Sequence, residues 1–263
     1  MRTIEIYVAA HKPCPLPQDP LYVPLQAGAA LHAQFLPVTD DTGDHISAKN
    51  AAFCELTALY WIWKNSRAEV VGLAHYRRFL GRRGLSRRPW KRLLRRADVE
   101  RLLSKAQIIL PRERHYVIET NASHYAHAHR EQDLAAARAC VLQLHPDYIP
   151  AFDAVMRKTH GHRFNMLIME KPLLDRYCEW LFSVLFLLET KIDLSACDAY
   201  NQRVFGFIGE RLLDVWLAHG GYRAQNVPVV STEKAHWLQK GARFLRRKFA
   251  ARKTHGDGAG FGT

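Results

Sequence analysis

The feature that most constrains the fold is an alternation of apolar strands and an apolar helix near the amino terminus. Ile4–Ala9 has the pattern of a buried strand, and Val70–Ala74 is a second one. Between them lies a helix that Ser47 or Asn50 caps and that is apolar around most of its circumference as far as Trp63. Strands that alternate with helices form a mainly parallel sheet covered by helices, so the sequence predicts an α/β protein.

The rest of the chain predicts more elements of the same kind. Three segments have the length and apolar content of short strands: 108–111, 164–169 and 227–230. Helical spacing or a helix start is found in five: 90–104, 119–144, 146–148, 172–189 and 202–219. Residues 22–36 have no clear assignment, and 82–89 is a basic loop. Because no repeat or boundary interrupts this pattern, we expect one domain over residues 1–232 with a mixed, mainly parallel sheet.

Net charge is the second constraint, because a formal charge of +13 requires an anionic partner. Residues 77–101 form one basic block, and 234–253 form another that contains no acid. Nucleic acid, an anionic membrane and a phosphorylated substrate all fit at this point. In the second block, one side of a helix would carry the apolar residues Trp237, Leu238, Phe244, Leu245 and Phe249.

This pattern predicts a basic amphipathic helix over residues 233–253 that lies on an anionic membrane, followed by a disordered tail at 254–263. A helix packed on the domain or a nucleic-acid arm are the alternatives. The sequence contains no apolar run long enough to span a bilayer, and its start reads as a strand rather than a signal peptide. We therefore expect a cytoplasmic protein. The five scattered cysteines fit neither a disulfide framework nor a zinc site, and Cys54 and Cys178 are expected in the core.

Polar side chains follow two of the predicted strands at the point where each strand ends. The ends of parallel strands meet at one edge of a sheet, which is where such folds bind ligands. Arginine can bind diphosphate oxygens through two parallel hydrogen bonds, and lysine adds a point charge. Solvated residues at the start of a loop are the alternative. The candidate ligand-binding residues are His11, Lys12, His75, Tyr76, Arg77 and Arg78.

Two other clusters contain possible metal ligands. Asp40, Asp41 and Asp44 surround a glycine and could bind Mg²⁺, but the same residues describe a surface turn or a contact to a base or ribose. Three histidines and an aspartate occur close together further along the chain, without the spacing of a zinc motif. These residues, which we expect to be solvated or to face an acceptor, are His124, His127, His129 and Asp133.

The helix at 202–219 carries another candidate. Gly206 and Gly209 are poor helix formers, so its start is expected to be approached closely by another part of the molecule. Glu210 beside Arg211 could act as a general base next to a cation. The same two residues could form an ordinary ion pair on the surface of the helix.

Together these segments resemble a bacterial domain family, long of unknown function, that is found among glycosyltransferases of capsular polysaccharide and O-antigen clusters. The resemblance runs from about residue 4 to 230, and its most specific stretches are "FCELTALYWIWKN", "VGLAHYRRF", "FNMLIMEKPLLDRYCEWLF" and "YNQRVFGFIGERLLDVWL". It implies a GT-A-like fold and sugar transfer from a nucleotide-activated donor. Because some relatives are similar to galactofuranosyltransferases, UDP-galactofuranose is a candidate among UDP-sugars.

The resemblance also implies roles for single residues. GT-A enzymes usually hold a metal with an Asp-x-Asp at the end of a central strand, where this chain offers His75–Arg78. Arginines can neutralise a leaving diphosphate without a metal, so we predict metal-independent transfer without a cofactor, a divalent metal being the alternative. Arg203 and Arg211 are further predicted diphosphate ligands. The residues predicted to meet donor sugar or acceptor are Asp44, Asn165, His124 and His127.

Glu210 is then the predicted base of an inverting, single-displacement reaction. The resulting expectation is a hexosyltransferase at the inner face of the cell membrane, extending a lipid-linked glycan for capsule or lipopolysaccharide O-antigen, alone or beside other assembly enzymes. The first rival is a nucleic-acid-binding protein. The evidence against it is that the basic residues lack interleaved base-stacking aromatics and that no known binding motif is present. The second rival is an inactive nucleotide-sugar-binding scaffold of the same assembly.

Overall fold

The computed structural model describes residues 2–233. Its central sheet has eight strands, and two further strands form a separate antiparallel pair. The strands are β1 (Ile4–Ala10), β2 (Tyr22–Gln26), β3 (Val70–His75), β4 (Arg78–Leu80), β5 (Ile108–Pro111), β6 (Arg114–His115), β7 (His160–Gly161), β8 (Leu167–Glu170), β9 (Ala224–Val227) and β10 (Val229–Ser231). β6 and β7 form the separate pair.

The pairing of these strands confirms a mixed, mainly parallel sheet. β1 lies between β2 and β3 and is parallel to both, with Ala9 opposite His75. β8 runs antiparallel to β3 and to β5, and β9 is parallel to β5. β8 is therefore the strand that runs against its neighbours in the order β2-β1-β3-β8-β5-β9. β4 turns back directly from the end of β3 and pairs with it in antiparallel fashion.

Helices cover both faces of the sheet. They are α1 (Asn50–Phe53), α2 (Leu56–Asn65), α3 (Arg96–Leu103), α4 (Asn121–Ala128), α5 (Glu131–Leu144), α6 (Ile149–Arg157), α7 (Lys171–Glu189) and α8 (Val204–Gly220). Side chains of β1 alternate between the faces, as a strand requires. Tyr7 and Ala9 join the larger core with α2 and α5–α8, while Ile6 and Val8 join a smaller core with α3. The apolar stretch of α7 is buried, as expected for a core helix.

Several predicted elements differ from those in the structure. Residues 22–26, which have no clear assignment from the sequence because they contain Pro24, form the strand β2. An edge strand tolerates proline, and among the described strands β2 pairs with β1 alone. The helix predicted to start at Ser47 or Asn50 and to end near Lys64–Asn65 does end at Asn65, but it is interrupted at Cys54, whose φ is 53°. The pattern at 119–144 divides into α4 and α5 at His129–Arg130. Periodicity alone detects neither break.

The expected surface turn at 40–44 is wrong for its first residue, because Asp40 is fully buried. Its carboxylate accepts hydrogen bonds from the backbone N–H groups of Gly28 and Ala29, at 2.9 and 3.0 Å. The hydroxyls of Ser47 and Thr57 donate to the same carboxylate. A buried carboxylate is stable when its oxygens are hydrogen-bonded, so Asp40 ties the chain after β2 to the start of the helical region.

The predicted basic helix at 233–253, apart from its first residue, and the predicted tail at 254–263 lie outside the described residues. The domain limits proposed from the sequence stay predictions. Among the helices of residues 2–233, none has both the length and the apolar content needed to cross a membrane.

Candidate active site

A cavity of about 710 Å³ opens where β1 and β3 end side by side. Its lining comes from two sides, which we call the cationic wall and the carboxylate wall. The cationic wall contains residues at the ends of β1 and β3 and in the turns that follow, as far as the first residue of β4: His11, Lys12, His75, Tyr76, Arg77 and Arg78. The carboxylate wall contains residues from α1, from α8 and from the segments directly before α2, β8 and α8: Asn50, Cys54, Glu55, Phe164, Tyr200, Arg203, Gly206, Phe207 and Glu210. All six strand-end residues selected from the sequence therefore line one cavity.

The ring of Tyr76 organises the cationic wall. Lys12 Nζ lies 5.6 Å from the ring centroid, and the Arg77 guanidinium lies 5.5 Å from it. The His11 ring meets Tyr76 edge to face with centroids 5.1 Å apart. Burial, followed by the nearby charges of Lys12 and Arg77, lowers the pKa of His11, which favours a neutral imidazole at neutral pH. Arg78 instead packs on the ring of Phe164, at 4.4 Å. The wall thus presents three cations at one strand edge.

Glu210 in the carboxylate wall is engaged through both of its oxygens. Oε1 accepts a hydrogen bond of 2.8 Å from the backbone N–H of Phe164. Oε2 accepts one of 2.9 Å from Arg211 Nη1, and Arg163 Nε lies 3.8 Å away. Arg211 is buried beneath the cavity, and this burial lowers its pKa. Glu210 is therefore part of a buried ionic network that is not the surface pair considered for the isolated sequence.

Glu55 is a charged residue of the cavity lining that was not among the residues predicted from the sequence. It lies directly before α2, and its Oε1 accepts a hydrogen bond of 2.8 Å from Asn165 Nδ2. His75 Nε2 is 3.8 Å from the same oxygen. A signal was available, because Glu55 is the one charged residue between Phe53 and Trp63. The apolar residues around it predict a buried helix rather than a ligand site.

The segment that contacts both glutamates has an unusual backbone. Phe164 and Asn165 have φ values of 81° and 50°, in the left-handed region that favours glycine. Each such residue costs on the order of 1–3 kcal/mol and persists only when its surroundings hold it. The Glu210 carboxylate holds Phe164, and Asn165 Nδ2 also donates to the carbonyl of Gly206 at 3.0 Å. Strain of this kind is typical of functional sites.

The two glycines of α8 allow the walls to come this close, which confirms that the start of this helix is closely approached. A Cβ on Gly206 would lie 3.2 Å from both Cβ and Sγ of Cys54. A Cβ on Gly209 would lie 2.8 Å from Leu56 Cδ1 and 3.3 Å from Asn165 Oδ1. Cys54, which was expected in the core, therefore sits half-buried at the cavity, where Arg203 Nε donates to its sulfur at 3.2 Å.

The other residues selected from the sequence lie outside the cavity lining. Asn165 is buried behind Glu55, and Arg211 behind Glu210. Asp44 accepts a hydrogen bond of 3.0 Å from the Tyr60 hydroxyl on α2. His127 is exposed and pairs with Glu119 at 2.8 Å. His124 stacks on Tyr116, and burial together with nearby arginines lowers its pKa to about 4.

Within residues 2–233, no group of three or more histidine, cysteine, aspartate or glutamate side chains is placed to hold a metal ion. Metal independence itself stays a prediction that only an assay tests.

The comparisons with known proteins agree with this architecture. The model of a family described as a domain of unknown function (DUF4422) matches residues 5–221, and the chain belongs to this family. The apo structure of the WbbM bifunctional glycosyltransferase superposes with a TM-score of 0.81 at 30% sequence identity. That match covers 88% of this chain and 46% of the WbbM chain, so this chain spans about half the length of that protein. No curated protein matches the sequence. The family resemblance and the GT-A-like α/β fold expected from the sequence are thereby confirmed.

Proposed function

We propose that the protein is a glycosyltransferase that moves a sugar from a nucleotide-sugar donor to a glycan acceptor in the cavity at the ends of β1 and β3. The observation that carries this proposal is that the three cations of the cationic wall and Arg203 share one cavity of about 710 Å³ with two carboxylates. Cavities of this size suit a small ligand, and strand ends are where α/β sheets bind nucleotides. The fold shared with WbbM, itself described as a bifunctional glycosyltransferase, supports the same activity.

The cationic wall would bind the donor diphosphate. Arg77 and Arg78 can each offer a planar pair of N–H donors to phosphate oxygens, and Lys12 adds a third charge. Arg203, which lines the opposite side, can approach the same group. As the bond from the anomeric carbon to the diphosphate oxygen breaks, its electron pair passes to the leaving diphosphate. Fixed cations stabilise that charge, and this is why we propose transfer without a metal ion.

The carboxylate wall would serve the acceptor. In the proposed inverting, single-displacement reaction, the acceptor hydroxyl attacks the anomeric carbon and gives its proton to a carboxylate. Glu210, the base predicted from the sequence, and Glu55 are the acidic residues among the described lining residues. His124, His127 and Asp44 lie outside the cavity lining, so their proposed contacts require an acceptor that extends beyond it.

The donor we propose is a UDP-hexose, with UDP-galactofuranose as a candidate, and the acceptor is a lipid-linked glycan. A membrane-facing location is supported by the segment at 82–96, which contains eight cations and no acid. Within it Leu85 is fully exposed and the Trp90 side chain is 40% exposed. Exposed leucine and tryptophan side chains among cations are typical of a segment that lies on an anionic bilayer.

A product assay tests the proposal. The protein is incubated with UDP-sugars and a lipid-linked acceptor, and the product is identified by mass spectrometry. We expect one donor to yield a product longer by one sugar, and we expect none from the Arg77→Gln, Arg78→Gln double variant. Nucleotide-sugar binding without transfer or hydrolysis would instead identify an inactive scaffold. Tight DNA binding that falls steeply with salt, without sugar transfer, would favour the nucleic-acid alternative.

A further inference from the structure

The two carboxylates of the cavity are equally buried but differ in their freedom to react. Each side chain is 15% exposed. Glu210 uses Oε1 for the backbone N–H of Phe164 and Oε2 for Arg211, with Arg163 also close. Both oxygens of this carboxylate are therefore already engaged by fixed donors. This leaves Glu210 less open to a reacting hydroxyl than a general base needs to be.

Glu55 has one oxygen held and one available. Oε1 accepts from Asn165 Nδ2, whereas Oε2 accepts no hydrogen bond from any residue within the described range 2–233. The carboxylate lines the cavity, so this second oxygen is within reach of a ligand. A general base needs this combination, in which one contact fixes its orientation and one lone pair faces the reacting hydroxyl.

The surroundings of Glu55 orient it without neutralising it. Asn165 is itself held by its second hydrogen bond, to the carbonyl of Gly206. His75 Nε2 is buried, has no hydrogen-bond partner among the described residues, and lies 3.8 Å from Glu55 Oε1. Burial lowers the pKa of His75, so its imidazole is neutral at neutral pH and forms no ion pair with Glu55. Its unpartnered nitrogen is placed at the junction of the two walls.

We propose that Glu55, and not Glu210, accepts the proton of the acceptor hydroxyl. This proposal rests on the proposed glycosyl transfer. As the acceptor oxygen forms its bond to the anomeric carbon, the O–H proton passes to Glu55 Oε2. The bond between that carbon and the diphosphate breaks at the same time, and its electron pair leaves with the nucleoside diphosphate. The protonated Glu55 later returns its proton to solvent.

Glu210 and Asn165 are then positioning residues. Glu210 holds the N–H of Phe164, and this contact keeps the next residue, Asn165, in the left-handed conformation that directs its amide to Glu55. The ionic network of Glu210 thus acts on the base through the backbone. This arrangement explains why the two residues that link Glu210 to Glu55, Phe164 and Asn165, both have positive φ although neither is glycine.

Paired substitutions separate the two glutamates. Glu55→Gln should lower kcat by about 10²–10⁴-fold, the usual contribution of a general base, while the nucleotide sugar still raises its Tm. Glu55→Asp, which keeps a carboxylate, should retain more activity than Glu55→Gln. Glu210→Gln should lower Tm, because it leaves two arginines without their partner. After correction for the folded fraction, the kcat of Glu210→Gln should remain at least about tenfold higher than that of Glu55→Gln.

Glu179→Gln makes the same chemical change on the exposed side of α7 and should leave kcat, KM and Tm unchanged. A Glu55→Gln variant that transfers sugar within about tenfold of the unsubstituted protein would overturn the proposal but leave the proposed function standing. A Glu210→Gln variant whose kcat falls further than that of Glu55→Gln, with an unchanged Tm, would also overturn the proposal and leave the proposed function standing. Absence of transfer by the unsubstituted protein, with every donor tested, would overturn the proposed function and this inference with it.

Discussion

The two walls of the cavity are built in different ways. The cationic wall consists of residues at the ends of β1 and β3 and directly after them, so its position is determined by the pairing of adjacent strands. The carboxylate wall brings together three separate parts of the chain, namely the start of α2, the segment at 163–165 and the first turns of α8. The comparison shows that the leaving-group end of the proposed reaction depends on strand register, whereas the proton-transfer end depends on helix packing.

Apart from the loss of kcat expected for Glu55→Gln, the largest effect is expected on UDP binding by the cationic wall. The Arg77→Gln, Arg78→Gln double variant should bind UDP at least about 100-fold more weakly, because each hydrogen bond to a charged group contributes roughly 1.5–3 kcal/mol. Isothermal titration calorimetry measures this change. The matched control is Arg83→Gln with Arg87→Gln, which removes equal charge from the exposed stretch at 83–88. Equal UDP affinities for both double variants would mean that the strand ends form no diphosphate site.

The carboxylate wall should respond to packing. Gly209→Ala would place a Cβ 2.8 Å from Leu56 Cδ1 and 3.3 Å from Asn165 Oδ1. Overpacking typically costs about 1–3 kcal/mol, which exceeds the roughly 1 kcal/mol that alanine contributes to a helix. We expect a lower Tm and a lower kcat with UDP affinity unchanged. Gly84→Ala is the control, since a Cβ there has nothing within 4 Å. A loss of UDP affinity in Gly209→Ala would show that the walls are not independent.

A smaller, pH-dependent effect is expected beside the carboxylate wall. Burial and then the charge of Arg211 lower the pKa of His124 and of His129 to about 4. In the unfolded chain these groups take up protons near pH 6.5, so the free energy of unfolding should decrease as the pH falls from about 6.5 to 4. The double variant His124→Gln, His129→Gln should lose a few degrees less in Tm between pH 7 and pH 4.5.

His162 offers the opposite sign as an internal comparison. Burial lowers its pKa, but hydrogen bonding and charge from Asp214 outweigh this, so the net pKa is raised above 6.5. The stabilisation from this pair is fully present below pH 6.5 and is lost as the pH rises through the folded pKa. Asp214→Asn should therefore lower Tm more at pH 6 than at pH 8.5. An equal loss at both pH values would contradict the assigned charge of His162.

The cationic wall could be predicted from the sequence to a greater extent than the carboxylate wall. The strand ends could be predicted, because a buried apolar run followed by polar residues is a local signal and parallel strands align their ends. Gly206 and Gly209 were also informative, since glycine inside a helix indicates close approach. Glu55 could not be chosen in the same way. Its partner Asn165 is 110 residues away, and the left-handed backbone that joins them follows from tertiary contacts.

The fold shows the same limits. Long apolar patterns predicted β1, β3, α7 and α8 correctly in kind and place. β2 was missed because only its position at the sheet edge makes its proline acceptable. The break at Cys54 was missed because the apolar residues on either side continue one helical pattern, although the chain turns there to place Glu55 at the cavity.

The central claim is that fixed cations at the ends of β1 and β3 bind the donor diphosphate without a metal ion. The most direct test measures Tm for a panel of nucleotide sugars, in EDTA and in Mn²⁺, with the unsubstituted protein and the Arg77→Gln, Arg78→Gln variant. We expect at least one UDP-sugar to raise Tm equally in EDTA and in Mn²⁺, and we expect the double variant to lose that increase. Stabilisation that requires Mn²⁺, or that survives in the double variant, would contradict the account.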